Sequence, residues 1–180
     1  MSIPPSCDSG CVSRRGFLSA AGCVSTVLMS EVFPNRVWGD ESAEVDLTTF
    51  ARRQIGRLSE LQVGQETPFR YPDDGELSNC LLVKTGEVSG GGIGPAQDVV
   101  AFSGRCTHMG GSLEGDYKPE HRVLGPCSLH LTTFDLTRHG IVVAGHATQA
   151  LPQIVLEADG DDIYATGVVG LLYGRASNQG

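Results

Sequence analysis

Short apolar runs, each about as long as a β-strand, recur along the chain from residue 80 onward and are separated by turn-forming residues. The glycine-rich segment 86–94 is predicted to be a hairpin loop, because no Lys-Ser/Thr pair or helical pattern follows it as in a phosphate-binding loop. The acidic stretch 159–162 lacks the spacing of a calcium loop and is predicted to be a turn. The runs that predict strands are 81–83, 98–102, 141–143, 153–156, 163–166 and 168–172.

The region that precedes these runs has a less regular pattern. Residues 47–61 have mixed polarity, so a short helix and a strand entering the fold both remain open. Residues 63–72 combine spaced apolar side chains with two prolines, which indicates an edge strand broken by turns, because proline cannot donate to a β-ladder.

Composition supports an all-β fold. The 180 residues include 24 glycines and 9 prolines, and only 6% are aromatic, as is typical of short strands joined by many turns. The length suits one domain preceded by a leader. The net charge of −8, with no basic run outside the leader, argues against a nucleic-acid partner.

The leader contains a recognisable signal. Residues 13–18 read Ser-Arg-Arg-Gly-Phe-Leu and resemble the twin-arginine export signal, which carries folded proteins. The apolar run 16–29 is shorter than the roughly 20 residues that a transmembrane helix needs. The alternative is a chance arginine pair before an internal amphipathic helix. We predict an export signal and linker over residues 1–40, one domain over 41–180, and a periplasmic location.

The end of the leader is less well defined by the sequence. No Ala-x-Ala cleavage site stands out between residues 30 and 45. An uncleaved signal that acts as a weak anchor therefore stays open, and it is the only membrane contact that we expect. A lipoprotein-type box ending at Cys23 is a weaker alternative, because the apolar stretch before this cysteine is short.

Two clusters of metal-ligand residues carry the chemistry. Cys106 and His108 form the first, and Cys127 and His130 form the second. A common zinc finger places its two cysteines in one cluster and its two histidines in the other, whereas each cluster here is mixed. A structural zinc site is the alternative. The mixed order favours a [2Fe-2S] centre in which both cysteines bind one iron and both histidines bind the other.

This ligand set predicts electron transfer. Two neutral imidazoles replace two thiolates, so the reduction potential rises from about −400 mV for four-cysteine plant ferredoxins to about −150 to +300 mV. The four protein ligands leave no iron position open for a substrate. We therefore expect the chain to transfer electrons and to contain no catalytic residue of its own.

The two clusters resemble the Rieske iron–sulfur signature. Roughly the last 130 residues resemble the small subunit of arsenite oxidase, and related molybdenum enzymes such as iodate reductase use similar subunits. The resemblance implies an all-β Rieske fold, with an antiparallel β-sandwich base and an inserted smaller cluster-binding part over about 103–148. The segments that extend the resemblance beyond the clusters are 135–140, 144–147, 151–152 and 170–175.

The resemblance also assigns roles around the centre. The paired loop cysteines of many Rieske proteins fall at Gly111 and Leu129, so that disulfide is missing here. Met109 and Leu129 are expected to shield the cluster from water, with plain core packing as the alternative. Thr132 and Phe134 match a serine and a tyrosine whose hydroxyls raise the potential of respiratory-complex members. Because phenylalanine cannot donate a hydrogen bond, we expect a lower potential than in those proteins.

The remaining cysteines and histidines are given no ligand role. Three cysteines lie in the leader, and Cys80 is predicted to be a small buried residue. His121, His139 and His146 are predicted to be surface residues, although His146 lies near the cluster part and could contact a partner. We expect His108 and His130 at an exposed tip, inside an apolar rim. The rim residues are Met109, Gly110, Leu129 and Leu131.

The resemblance implies a small subunit of an oxidoreductase complex. We expect a large molybdenum-containing catalytic subunit of the arsenite oxidase type as its partner, and a soluble cytochrome c or copper protein as its electron partner. The alternatives are a subunit of a related enzyme such as iodate reductase, a respiratory cytochrome-complex Rieske protein, a dioxygenase ferredoxin and a zinc module. The partner's substrate is not encoded on this chain.

Overall fold

The computed structural model describes residues 47–178, so the predicted export signal and linker over 1–40 lie outside the described residues. The described part of the chain is built from strands and two single-turn 3₁₀ helices, Leu58–Glu60 and Glu76–Ser78. No helix among the described residues is long and apolar enough to span a bilayer. The strands are β1 (Leu47–Arg57), β2 (Glu66–Arg70), β3 (Asn79–Lys84), β4 (Val99–Ser103), β5 (Tyr117–Lys118), β6 (Val123–Leu124), β7 (Thr133–Asp135), β8 (Ile141–Ala144), β9 (Gln153–Asp159) and β10 (Asp162–Val169).

The larger sheet has the strand order β1-β10-β9-β4-β3-β2, and every pair in it is antiparallel. Its two edge strands approach each other across the inner core. The Phe50 and Tyr71 rings meet edge to face with centroids 5.8 Å apart, and Arg53 Nη1 donates to the Arg70 carbonyl at 3.1 Å. The sheet therefore folds over on itself into the sandwich base that the sequence predicts.

The smaller sheet has the order β5-β6-β7-β8 and lies in the sequence between β4 and β9 of the base. It packs on the outer face of the base through a second apolar core. Because both faces of β3 are covered, its residues Cys80 to Val83 are all buried, which explains the continuous apolar run. The second apolar core, between the base and the small sheet, contains Leu81, Val83, Val100, Phe102, Cys106, Leu113, Tyr117, Leu124, Cys127, Phe134, Leu136 and Leu151.

The structure decides the ambiguous elements. Residues 47–57 form a strand whose exposure alternates, and only 58–60 are helical. The predicted strands 163–166 and 168–172 are wrong in their bounds. They are one strand, β10, with a bulge near Gly167, and it ends at Val169 because Gly170 has φ +88°. The predicted edge strand over 63–72 is confined to β2, while Val63 makes an isolated bridge to Lys84.

The glycine-rich loop connects β3 to β4, as predicted, and it also touches the cluster-binding part. Gly90 N donates to the Thr137 carbonyl at 2.8 Å. The buried Gln153 side chain donates to the Gly90 carbonyl at 2.7 Å, and its Oε1 lies 2.8 Å from His139 Nδ1. His139 is thus an exposed residue that joins the loop to the base, with no place at the cysteine and histidine clusters.

Candidate iron–sulfur site

The first loop, residues 106–111, is closed by two backbone hydrogen bonds, one donated and one accepted by Cys106. Cys106 N donates to the Gly111 carbonyl at 2.9 Å, and Gly110 N donates to the Cys106 carbonyl at 2.9 Å. Gly110 has φ +70°, which a residue without a side chain adopts at no steric cost. The turn leaves the side chains of Cys106 and His108 on a short segment whose backbone is already satisfied.

The second loop, residues 127–132, repeats this pattern. Cys127 N donates to the Thr132 carbonyl and Leu131 N donates to the Cys127 carbonyl, both at 2.8 Å. Leu131 takes the position of Gly110 and has φ +60°, which is uncommon for a residue with a side chain. The two loops thus present their cysteines in equivalent backbone settings, although the histidine follows two residues after the cysteine in the first loop and three after it in the second.

The two thiols are neighbours beneath the surface. Cys106 and Cys127 are both buried and belong to the core between the base and the small sheet. Burial raises the pKa of the Cys106 thiol, and the adjacent Cys127 adds to that rise. Hydrogen bonds from the His108 backbone and the Thr132 side chain act in the opposite direction. Two buried thiolates side by side would need a bound cation, which is the setting that an iron ligand requires.

The two imidazoles form an outer pair. The His108 and His130 rings meet edge to face with centroids 4.6 Å apart, and His130 is exposed. Nδ1 of His108 is buried without a hydrogen-bond partner. A buried imidazole nitrogen with a free lone pair is a suitable iron ligand. The four predicted residues therefore fit a two-iron centre, with the thiols on its inner side and the imidazoles on its outer side.

Thr132 lies near both the Cys106 thiol and the backbone of residues 146–147. Its hydroxyl oxygen accepts hydrogen bonds from His146 N at 3.1 Å and Ala147 N at 3.3 Å. The Thr132 side chain also lies close enough to the Cys106 thiol to lower the pKa of that thiol. Because two amides already supply protons to the oxygen, the hydroxyl proton is available to the sulfur. Phe134 is fully buried in the core that contains both cysteines and offers no polar atom there.

The rim around the imidazoles is apolar and exposed. Met109, Leu129 and Leu131 expose 57%, 54% and 66% of their surfaces. That exposure excludes the core-packing alternative for Met109 and Leu129. Leu129 nevertheless covers the inner site, since a β-carbon added at Gly111 would meet Cys127 Sγ at 2.8 Å and Leu129 Cδ1 at 3.0 Å. The positions where the resemblance places a disulfide therefore lie side by side.

His146 and Tyr173 were given no role at the cluster from the sequence, although both lie in segments that resemble the small-subunit pattern. The exposed His146 ring stacks on His108, with centroids 5.8 Å apart and planes inclined by 28°, so the tip has three imidazoles. Its only sequence signal is its place in the segment 144–147 that resembles the small-subunit pattern. Tyr173 packs on Gly110 from the carboxyl-terminal segment. No pattern or spacing links these two positions, which are brought together only by the fold. His121 is exposed, as predicted.

The chain is similar to two known iodate reductase subunits. The iodate reductase subunit IdrB of Denitromonas iodatirespirans is 51% identical over 96% of this chain and 89% of its own length. IdrB of Pseudomonas sp. (strain SCT) is 52% identical over 93% of this chain and 84% of its own.

The fold is also found in a solved structure. The soluble domain of the Rieske protein II (soxF) from Sulfolobus acidocaldarius matches with a TM-score of 0.61 at 22% identity, over 71% of this chain and 83% of that one. The Rieske [2Fe-2S] domain family matches residues 55–155, which include both ligand loops. The chain is therefore a member of the Rieske family, and its cofactor is a Rieske [2Fe-2S] cluster.

Proposed function

We propose that this chain is the electron-transfer subunit of an iodate reductase and the partner of its molybdenum-containing catalytic subunit. The observation that carries the proposal is the identity of 51% and 52% to two iodate reductase subunits, over most of each chain. These identities favour iodate reductase, which was predicted from the sequence as an alternative, over arsenite oxidase, which was predicted first. The cluster supplies one-electron chemistry, and the residues of this chain hold it and expose one side of it.

The exposed side determines where electrons cross. His130 is exposed and His108 is half-buried beside it, and together with the two buried thiols these imidazoles would hold the cluster. An uncharged rim of Met109, Leu129 and Leu131 surrounds them on a chain whose net charge is −8. Apolar surface that becomes buried stabilises a complex without a requirement for charge pairing. We therefore assign the tip to redox contacts. In iodate reduction, electrons pass from a soluble cytochrome c or copper protein through the cluster to the catalytic subunit.

The test is co-purification of the full-length chain from its native cells. The expected complex contains a second, larger subunit, molybdenum, and two irons and two labile sulfides per copy of this chain. It reduces iodate with a reduced dye or cytochrome c as donor. A complex that oxidises arsenite and leaves iodate unchanged would return the function to arsenite oxidase. Stoichiometric zinc in place of iron, or a Rieske protein without a molybdenum partner, would overturn the proposal.

A pair of variants tests whether Cys127 is needed for electron transfer from the donor or only for a well-packed core. Cys127→Ala removes a predicted iron ligand, so the complex is expected to lose electron transfer from the cytochrome or copper donor. Cys80→Ala is the matched control, because Cys80 is also buried but lies in the core on the other face of β3. Equal donor-dependent activity in both variants would remove Cys127 from the electron path.

We also propose export to the periplasm by the twin-arginine route, from the pattern over residues 13–18. Arg14→Lys combined with Arg15→Lys is expected to leave folded, cluster-loaded protein in the cytoplasm. Arg36→Lys is the control, because it alters an arginine of the same amino-terminal segment outside the pair. Fractionation followed by immunodetection measures the outcome, and normal periplasmic accumulation of the double variant would refute the route.

A further inference from the structure

The first cluster loop is covered from outside by an aromatic ring. A β-carbon added at Gly110 would lie 2.2 Å from Tyr173 Cε1 and 2.7 Å from both Cδ1 and Cζ, so the ring lies directly against the loop backbone. Gly110 N donates the hydrogen bond that closes the loop onto the Cys106 carbonyl. The Tyr173 ring therefore packs against Gly110, the residue that closes the turn carrying Cys106 and His108.

The segment that carries Tyr173 is held on both sides of this residue. On one side, Leu172 is fully buried, its N–H donates to Asn178 Oδ1 at 3.0 Å, and Asn178 Nδ2 donates to the Gly170 carbonyl at 2.7 Å. On the other side, Arg175 Nη2 donates to Asp73 Oδ2 at 2.6 Å. These anchors fix the backbone of Tyr173, so its ring is a rigid support.

The Asp73 anchor persists at neutral pH. Ser78 donates to its carboxylate, as does Arg175, and these two hydrogen bonds lower the pKa of Asp73 to about 2. The carboxylate is therefore ionised wherever the protein is folded and active, and the ion pair with Arg175 holds the tail against the 73–78 turn. Leu77 of the same turn lies where a β-carbon at Gly174 would come within 2.7 Å of its Cδ1.

The backbone carbonyl of Gly110 is also held, by a hydrogen bond from an arginine. Arg105 Nη1 donates to the Gly110 carbonyl at 3.3 Å, and Arg105 Nη2 donates to the Glu76 carbonyl at 3.2 Å. Gly110 is thus tied to the 73–78 turn by Arg105 and covered by Tyr173, which is anchored to that same turn through Arg175. No disulfide links the two cluster loops, because all the cysteines of the described residues are free thiols.

We propose that Tyr173 is a positioning residue for the Rieske cluster. Its ring holds the first loop in the geometry that presents Cys106 and His108, in a site whose loops are not cross-linked covalently. The aromatic surface carries this role and the phenol oxygen does not, since the contact to Gly110 is made by ring carbons. The inference concerns cluster binding only, and it holds whichever catalytic subunit is the partner.

The test compares three variants of the full-length, cluster-loaded chain. Tyr173→Ala is expected to lose the visible absorption of the cluster about 5- to 30-fold faster, because removing about 1–2 kcal/mol of local packing raises the population of the open loop by that factor. Its electron paramagnetic resonance g-values and reduction potential are expected to shift, because the imidazole of His108 changes orientation. Tyr173→Phe is expected to match the native protein in all three readouts.

Tyr164→Ala is the matched control. It truncates a tyrosine that stacks on Arg52 on the base, away from the cluster loops, so it tests a loss of general stability alone. It is expected to leave the g-values and the potential unchanged. The proposal would be overturned if Tyr173→Ala left the spectrum and the potential native, or if its cluster loss only followed its melting temperature as in Tyr164→Ala.

A double variant keeps the test decisive if Tyr173→Ala folds poorly. Gly110→Ala alone is expected to impair cluster loading, because the new methyl group collides with the ring. Adding Tyr173→Ala is expected to restore loading in part, since it removes the collision, and Leu131 shows that a side chain tolerates the same backbone region in the second loop. Strictly additive losses in the double variant would refute the contact.

Discussion

The Leu129 side chain lies over Gly111, and together they form the contact between the two cluster loops. A β-carbon at Gly111 would come within 3.0 Å of Leu129 Cδ1 and 2.8 Å of Cys127 Sγ. Glycine is therefore required at this position by the close approach of the Cys127 sulfur, a predicted iron ligand, independently of its backbone dihedral angles. The leucine side chain lies beside the Cys127 sulfur at this contact.

This contact predicts that Gly111→Ala impairs cluster assembly. The added methyl group must displace Cys127 Sγ or Leu129, and overpacking of a filled site costs about 1–3 kcal/mol. We expect less iron and labile sulfide per chain and faster bleaching of the visible spectrum. Gly56→Ala is the control, because its nearest neighbour would be Leu82 Cδ2 at an ordinary 3.5 Å. Full cluster content in Gly111→Ala would show that the sulfur does not occupy this position.

Thr132 is predicted to raise the reduction potential through its hydroxyl proton. A hydrogen bond to a charged group is worth about 1.5–3 kcal/mol, and the reduced cluster is the more negative state, so the bond stabilises it more. Thr132→Ala is expected to lower the potential by tens of millivolts, as measured by protein-film voltammetry. Thr132→Ser is expected to restore it.

The neighbouring threonine provides the control for this effect. Thr133 Oγ1 donates to the Leu131 carbonyl at 3.4 Å, and Thr132, not Thr133, acts on the Cys106 thiol. Thr133→Ala should therefore leave the potential close to native. If Thr132→Ala and Thr132→Ser were equally low, the hydroxyl would not reach the sulfur, and the effect would come from displacement of residues 146 and 147.

Phe134→Tyr is predicted to act in the opposite direction. The ring is fully buried in the core that contains both cysteines, so an added hydroxyl group stabilises the protein only where it finds an acceptor. A sulfur of the reduced centre is such an acceptor, and we expect the potential to rise by tens of millivolts. A lower melting temperature at unchanged potential would show instead that the hydroxyl is buried without a partner.

Cys80 is predicted to be inert towards alkylation in the folded protein. Burial raises the pKa of its thiol from 9.0 to about 12, so almost no thiolate exists at pH 8.5. Labelling by iodoacetamide, located by mass spectrometry, should follow global unfolding. Rapid labelling of Cys80 in native protein would contradict its burial.

The same shift has a consequence for stability at alkaline pH. The folded pKa lies above the unfolded value, so the stabilising contribution is present below pH 9 and is lost as pH rises towards 12. Cys80→Ala should therefore have a smaller loss of stability across this interval than the native chain. Part of the loss remains, because burial also raises the pKa of Tyr71 to about 12. Parallel stability curves would exclude a contribution from Cys80.

The sequence alone determines the cofactor and the fold class. Two cysteines and two histidines in mixed clusters match a chemistry that few other sites share, and ligand identity is a property of residue type and spacing. The strands β3, β4 and β9 could be predicted because buried strands need apolar runs, whatever they pack against. The strand β8 also has an apolar run, although most of its residues are exposed. Thr132 and Phe134 were predicted to lie near the cluster because each follows within a few residues of a predicted ligand.

Only the tertiary structure decides what surrounds the site. Residues 47–61 could not be assigned from their pattern, because an edge strand with one exposed face has weak periodicity and acquires its form by pairing with β10. The stacking of His146 on His108 and the packing of Tyr173 on Gly110 join residues that are 38 and 63 positions apart. Such contacts leave no local sequence signal, because the two residues are far apart along the chain and are brought into contact only by the packing of the two sheets.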